Sequence, residues 1–293
     1  MKVGAQLYSL RDYCKTTEDF AETLKKVADM GYTSFQVSGT CEYEADWLSE
    51  RLKENGLTCD LTHYSVDKMM ADPSGVADFH AKFSCKYIGI GSLPGWINGD
   101  VKENTVNFAK NIKNTADVFK SKGALLMYHN HHFEYYADID GKNIMEYFSD
   151  CFAPDEMGFT LDTHWVVCGN HDPIEEIKRL RGRLPCVHFK DLVFNLDFAT
   201  MHFETRFAPV GSGMIKFEPI VSELENAGTE FIFVEQDSCY GEDPFACLKK
   251  SLDYLKSIGL NSFFFGDTPC FAGLSPFCLH KVLIFIKKVN ILN

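Results

Sequence analysis

Basic charge is scarce in this sequence. Its 29 lysines and arginines face 41 aspartates and glutamates, for a net charge of −12 at neutral pH. Binding to a phosphate backbone rests on clustered cations, so no nucleic-acid partner is expected. A small phosphorylated ligand held by a few local cations is not excluded. Paired cysteines are also lacking. Eleven are scattered through 293 residues with no CxxC pair and no zinc-ribbon spacing. That pattern argues against a disulfide framework or structural zinc and for reduced thiols in a cytoplasmic protein. No run reaches the ~20 apolar residues of a spanning helix. The opening Met1-Lys2-Val3-Gly4-Ala5 has neither the apolar stretch nor the cleavage site of a signal peptide. A soluble protein without a membrane partner is expected. No linker and no low-complexity segment is found, and 21 glycines with 10 prolines are ordinary usage.

What is present is alternation. Short apolar segments, read as strands near Val3–Tyr8, Ser34–Val37, Thr58–Thr62, Tyr87–Ile90, Leu125–His129, Gly158–Asp162, Cys186–Phe189 and Phe231–Glu235, are separated by stretches of helical spacing. In Thr17–Met30, Phe20, Leu24, Val27 and Ala28 fall on one face, and Thr17 with Glu18 and Asp19 marks a helix start. Gly31, Gly56, Gly123, Gly228 and Gly259 each follow an expected helix, where a left-handed cap is wanted. Eight strand–helix units predict an α/β fold, a closed (β/α)8 TIM barrel over residues 1–259. The rival, an open doubly wound sheet, wants a glycine-rich fingerprint after the first strand. Gln6-Leu7-Tyr8-Ser9-Leu10-Arg11 stands there instead. The tail, residues 260–293, carries the dense apolar run Val282–Ile286. It is expected to pack on the barrel exterior. A homo-oligomer contact and a segment without selected structure are the alternatives, and exposure of that run would favour aggregation.

Barrel active sites lie at the C-terminal ends of the strands. Four such ends are unusually polar: Tyr128-His129-Asn130-His131-His132-Phe133-Glu134, Leu161-Asp162-Thr163-His164-Trp165, Val187-His188-Phe189-Lys190-Asp191 and Val234-Glu235-Gln236-Asp237. Singly, each has a plain reading. An aspartate there caps a helix, a histidine is hydrogen-bonded in the core, and a glutamate pairs with a lysine. Together, Asp162, His188 and Glu235 would converge on one mouth. Two carboxylates and an imidazole suit one divalent ion with open positions, Mn²⁺, Mg²⁺ or Co²⁺ ahead of Zn²⁺. His129 and His164 are expected beside the substrate. Lys190 shares parity with His188 and could neutralise an enediolate or a phosphate, or pair with Asp191 at the surface. Gln6 and Gln36 hint at substrate hydroxyl contacts, while core packing is the plainer reading for His63 and Trp96.

The order Asp, His, Glu on strands six to eight, with VGAQLYSLRD, YHNHHFEY, LDTHW, VHFKD, FAPVGSGMIKF and VEQD, resembles the xylose-isomerase-like sugar phosphate isomerase/epimerase superfamily over roughly residues 1–259. The resemblance implies that Asp162, His188 and Glu235 are metal ligands. In ketose 3-epimerases a glutamate inside the fifth strand completes the site and serves as acid/base. Here Tyr128 or His129 holds that place and the nearest carboxylate is Glu134. Glu134 ranks first as the fourth ligand, His129 or His131 next. An arginine placed like Arg206 touches substrate in those enzymes, and Gly211 with Gly213 would let backbone approach the ligand. The activity implied is a metal-dependent isomerase or epimerase of a sugar, keto-sugar or sugar phosphate. Glu235 would remove the proton beside the carbonyl and His131 or Glu134 would return one. An inosose-dehydratase-like lyase is the rival. Phosphodiester hydrolysis of the endonuclease IV kind is disfavoured by the charge of −12. A sugar-binding barrel without turnover is the reading outside enzymology.

Overall fold

The structure, a computed structural model, describes residues 1–260 apart from Asn98. The expectations for the tail, Val282–Ile286 included, lie outside the described residues. Eight parallel strands close a barrel: β1 (Lys2–Gln6), β2 (Ser34–Val37), β3 (Thr58–His63), β4 (Tyr87–Ile90), β5 (Leu125–His129), β6 (Met157–Asp162), β7 (Cys186–Phe189) and, after an inserted hairpin, β10 (Phe231–Val234). The strands run in chain order around the ring, and β1 closes it against β10 with Ala5 opposite Val234. Each is within a residue or two of its expected span.

Strands β2, β4, β6 and β7 are buried on both faces, as in a sheet covered by helices, while β3 leaves Thr58 exposed. Inside the barrel, Leu61, Tyr87, Met127, Cys186 and Phe233 form a compact apolar plug. Outside it, helices bury a larger shell. In Thr17–Asp29, Phe20, Leu24 and Val27 face the barrel, and Thr16 caps the first turn by accepting from Asp19 N at 3.1 Å. The five glycines expected after helices all have positive φ, from 64° to 96°. Among the described residues no helix is long and apolar enough to cross a membrane.

One stretch differs from expectation. The segment after β7 is not a plain connection but an antiparallel hairpin, β8 (Asp191–Asp197) with β9 (His202–Ala208). Its root is pinned by Asp191, whose carboxylate accepts from the backbone N–H groups of Leu192 (2.8 Å), Gly211 (3.0 Å), Gly213 (2.8 Å) and Ile215 (3.1 Å). A side chain at Gly213 would stand 2.3 Å from Asp191 Oδ1, so this glycine serves close approach to a carboxylate, not to a ligand.

Candidate active site

Asp162 is the last residue of β6 and lies in register with His188 on β7. Its backbone N–H donates to Asn130 Oδ1 at 3.0 Å, and its Oδ1 accepts from Trp165 N at 3.0 Å, capping the helix Thr163–Cys168. The cap reading is therefore true of one carboxylate oxygen, and the other, Oδ2, is left for the barrel mouth. His188 is oriented from behind: its Nε2 is 2.5 Å from Gln36 Oε1, an arrangement in which Nε2–H donates and Nδ1 is turned to the mouth. Nδ1 lies 2.9 Å from Glu235 Oε2 and 3.8 Å from Asp162 Oδ2. Glu235 follows β10, its backbone N–H donating to Phe189 O at 3.1 Å, and its Oε1 accepts from Gln6 Nε2 at 2.8 Å. The two glutamines thus hold site side chains rather than facing substrate with all their polar atoms.

Three buried atoms, Asp162 Oδ2, His188 Nδ1 and Glu235 Oε2, converge without a hydrogen bond of acceptable geometry. One donor atom from each, together with one from His129, lies within 4.8 Å of the others. Bonds of ~2.1 Å to a small divalent ion put neighbouring ligand atoms about 3 Å apart, so this donor set fits such an ion. The same carboxylates also hold Lys190, which is fully buried. Its Nζ lies 3.0 Å from each of Asp162 Oδ2, Glu235 Oε2 and Asp237 Oδ1.

Burial opposes every charge here, and the partners decide the outcome. For Asp162 and Glu235, burial is outweighed by Lys190 and then His188, which hold both carboxyls below the usual range. Burial likewise works against the imidazolium of His188, yet Glu235 and Asp162 keep it above its ordinary value. Asp237 goes the other way: burial and the neighbouring Glu235 push it up to about 7. At the other histidines of the mouth the same carboxylates act too weakly to offset burial. Burial takes His63 down to about 3 and His131 to about 4, and places His129 well below its usual range.

A cavity of about 300 Å³ opens over this cluster, with His63, His129, His131, Lys190, Glu235 and Asp237 in its walls. Of the expected substrate-side residues, His129, His131 and Lys190 reach it. His164 is buried beside it, with its ring 4.6 Å from Phe207 and its Nδ1 3.4 Å from Asp191 O. Arg206 lies on the hairpin, bonded to Glu204 at 2.7 Å and 5.1 Å from the Tyr240 ring, and does not line the cavity. Trp96 stacks on Phe133 at 4.2 Å.

Glu134 departs most from expectation. It is fully buried but outside the metal-compatible group. Its Oε1 accepts from Tyr128 OH at 2.9 Å and its Oε2 from His131 N at 2.8 Å. The cause is local. The chain leaves β5 at His129 and turns into the short helix Phe133–Tyr136, which carries Glu134 behind the turn it braces. His129 stands with Asp162, His188 and Glu235 in its place. Two contributors escaped the sequence reading: Asn130, which positions Asp162, and Asp237, the third carboxylate on Lys190. Asp237 shares strand parity with Glu235, a signal that was available.

A family profile described as "Xylose isomerase-like TIM barrel" matches residues 24–258. The inosose dehydratase of Geobacillus kaustophilus is 22% identical over 269 residues, covering 80% of this chain and 85% of that one. A sugar phosphate isomerase/epimerase from Parabacteroides distasonis superposes with a TM-score of 0.72 at 22% identity, over 88% of this chain and 94% of the other. A xylose isomerase-like TIM barrel protein from Mycobacterium smegmatis, solved in complex with magnesium, gives a TM-score of 0.68 at 15% identity, over 89% and 97% of the two chains. With the profile spanning most of the barrel, the chain belongs to the xylose isomerase-like TIM barrel family.

Proposed function

We propose that this chain is a divalent-metal-dependent isomerase or epimerase of a keto-sugar or polyol, working through an enediolate. One observation carries the reading: three buried donor atoms, Asp162 Oδ2, His188 Nδ1 and Glu235 Oε2, meet beneath a small polar cavity at the barrel mouth, with the Lys190 ammonium 3.0 Å from both carboxylates. His129 is the fourth donor in reach. A bound divalent ion supplies Lewis-acid stabilisation of the charge that develops on the substrate's carbonyl oxygen.

The chain's own residues supply the rest. Glu235 is held as a carboxylate by Lys190 and can accept the proton beside the carbonyl at Oε1, the oxygen not counted among the metal donors. His131 is neutral at physiological pH because burial disfavours its cation, and its partnerless Nδ1 can take or return a proton at the cavity wall. Lys190 keeps positive charge beside the oxygens where negative charge grows. Gln6 and Gln36 hold Glu235 and His188 in place throughout.

A lyase of the inosose-dehydratase kind is the second reading. It is favoured by His129, an imidazole where a two-carboxylate epimerase would carry its second glutamate, and by similarity to a dehydratase over 80% of this chain. Mass spectrometry in D₂O separates the two. Incubation of metal-supplemented enzyme with a panel of ketoses and inososes is expected to give deuterium uptake without loss of water. A product lighter by one water would transfer the assignment to the lyase. Absence of deuterium uptake from every member would overturn both.

A further inference from the structure

A second cavity, about 320 Å³, lies at the same end of the barrel and is not used by the chemistry above. Its walls come from the turn after β1, with Ser9, Arg11 and Tyr13, and the turn after β10, with Gln236 and Tyr240. Asp237 lines both this cavity and the reaction cavity. Gln236 is only 5% exposed. Its backbone N–H donates to Ser9 Oγ at 2.9 Å and its Nε2 to Ser238 O at 3.1 Å, yet its Oε1 has no partner. An unsatisfied buried acceptor at a polar cavity calls for a donor. Tyr13 and Tyr240, 44% and 49% exposed, add two aromatic faces.

We infer that this second cavity is a subsite for an uncharged, hydroxyl-bearing second ring, so that the substrate is a glycoside rather than a free or phosphorylated sugar. The inference rests on the proposed sugar chemistry and extends it. Size supports two rings: each cavity alone is at the small end of ligand sites, which run from ~300 Å³ upward. Charge decides against phosphate. Arg11 is the one cation in the second cavity. It already donates to Tyr8 O at 2.7 Å and lies 4.3 Å from the Tyr8 ring, while Asp12, Asp237 and Glu242 line the same space. In the reaction cavity the Lys190 ammonium is spent on three carboxylates. A phosphate dianion meets net negative charge in the second cavity, whereas sugar hydroxyls donate to its carboxylates and to Gln236 Oε1.

The test is calorimetric titration of the full chain, with Mn²⁺ present, against matched sets: hexoses, their disaccharides and their 6-phosphates. At least one disaccharide is expected to bind about tenfold tighter than its parent hexose, and each phosphate more weakly than its hexose. Tyr240→Ala and Tyr13→Ala are expected to remove the disaccharide's advantage, with melting curves confirming that each variant is folded. Equal binding of hexose and disaccharide across the panel, or tighter binding of phosphates, overturns the subsite, as does an advantage that survives both variants. Deuterium exchange run in parallel tells the failures apart. Exchange without any gain from a second ring sinks the subsite alone, and no exchange from any member sinks the reaction class.

Discussion

At the residue scale, a lysine ammonium sunk among three carboxylates is tolerable only as a complete set. Removing one partner leaves uncompensated buried charge, at a cost of about 3–5 kcal/mol. Lys190→Met is therefore expected to lower the melting temperature of the metal-free protein sharply. Added Mn²⁺ should restore more stability to the variant than to wild type, because a divalent ion can take over the neutralisation of Asp162 and Glu235. Equal metal-induced shifts in the two proteins would show that the ion binds elsewhere. Asp162→Asn, His188→Ala and Glu235→Gln should each weaken binding of about one divalent ion per chain, by at least roughly tenfold. Elemental analysis after gel filtration checks this, and full occupancy in all three variants would refute the site. These three residues were legible because each is one polar group ending an apolar strand. Glu134 was not, because strand parity cannot say where a strand stops. His131 onward no longer alternates, and a hydrogen bond from Tyr128 at 2.9 Å, a tertiary fact, fixes the carboxylate away from the cluster.

At the scale of elements, the hairpin shows what periodicity alone leaves open. Leu192, Phe194 and Leu196 share one parity, interleaved with Val193 and Asn195, and across the ladder they face Phe207, Thr205 and Phe203. The pattern is that of a strand pair, but seven-residue arms joined by the tip Phe198-Ala199-Thr200-Met201 are also compatible with an irregular connection. What settles the matter is Asp191, whose four backbone donors come from as far as Ile215 and are invisible to local reading. Bonds to a charged acceptor contribute about 1.5–3 kcal/mol each, though not additively. Asp191→Ala should thus cost about 3 kcal/mol and open the hairpin to proteolysis, with cleavage mapping between Asp191 and Ile215. Gly213→Ala should act in the same direction, since its Cβ would meet both Asp191 Oδ1 and Leu192 O at 2.3 Å. A variant as protease-resistant as wild type would remove Asp191 as the pin of this element.

At the scale of the whole molecule, the barrel was readable because its punctuation repeats: helix, glycine, strand, with most strand residues buried. Burial on that scale also sets the response to pH. Burial raises Glu134 from 4.5 to about 8, against the hydrogen bonds from Tyr128 and His131. Burial lowers His80 from 6.5 to about 4, against its bond to Val76 O at 2.7 Å. The two act on opposite limbs of the stability curve. The unfolded chain releases the Glu134 proton above about pH 4.5 while the folded chain keeps it to about 8, so this contribution is full at low pH and lost as pH rises through 8. His80 is the reverse. The unfolded chain takes up a proton below 6.5 that the folded chain refuses until about 4, so stability is full above 6.5 and lost as pH falls through 4. Between roughly pH 4.5 and 6.5 the two slopes, each about 1.4 kcal/mol per pH unit, cancel. His63 and His131, lowered to about 3 and 4, steepen the acid limb further. Urea midpoints measured in EDTA, which keeps metal binding out of the curve, should fall from pH 6.5 towards 8. Glu134→Gln should flatten that alkaline limb while leaving the acid limb steep, and His80→Gln should remove only its share of the acid limb. An alkaline limb unchanged by Glu134→Gln would mean that this carboxyl ionises as an ordinary glutamate and that its burial is relieved in solution.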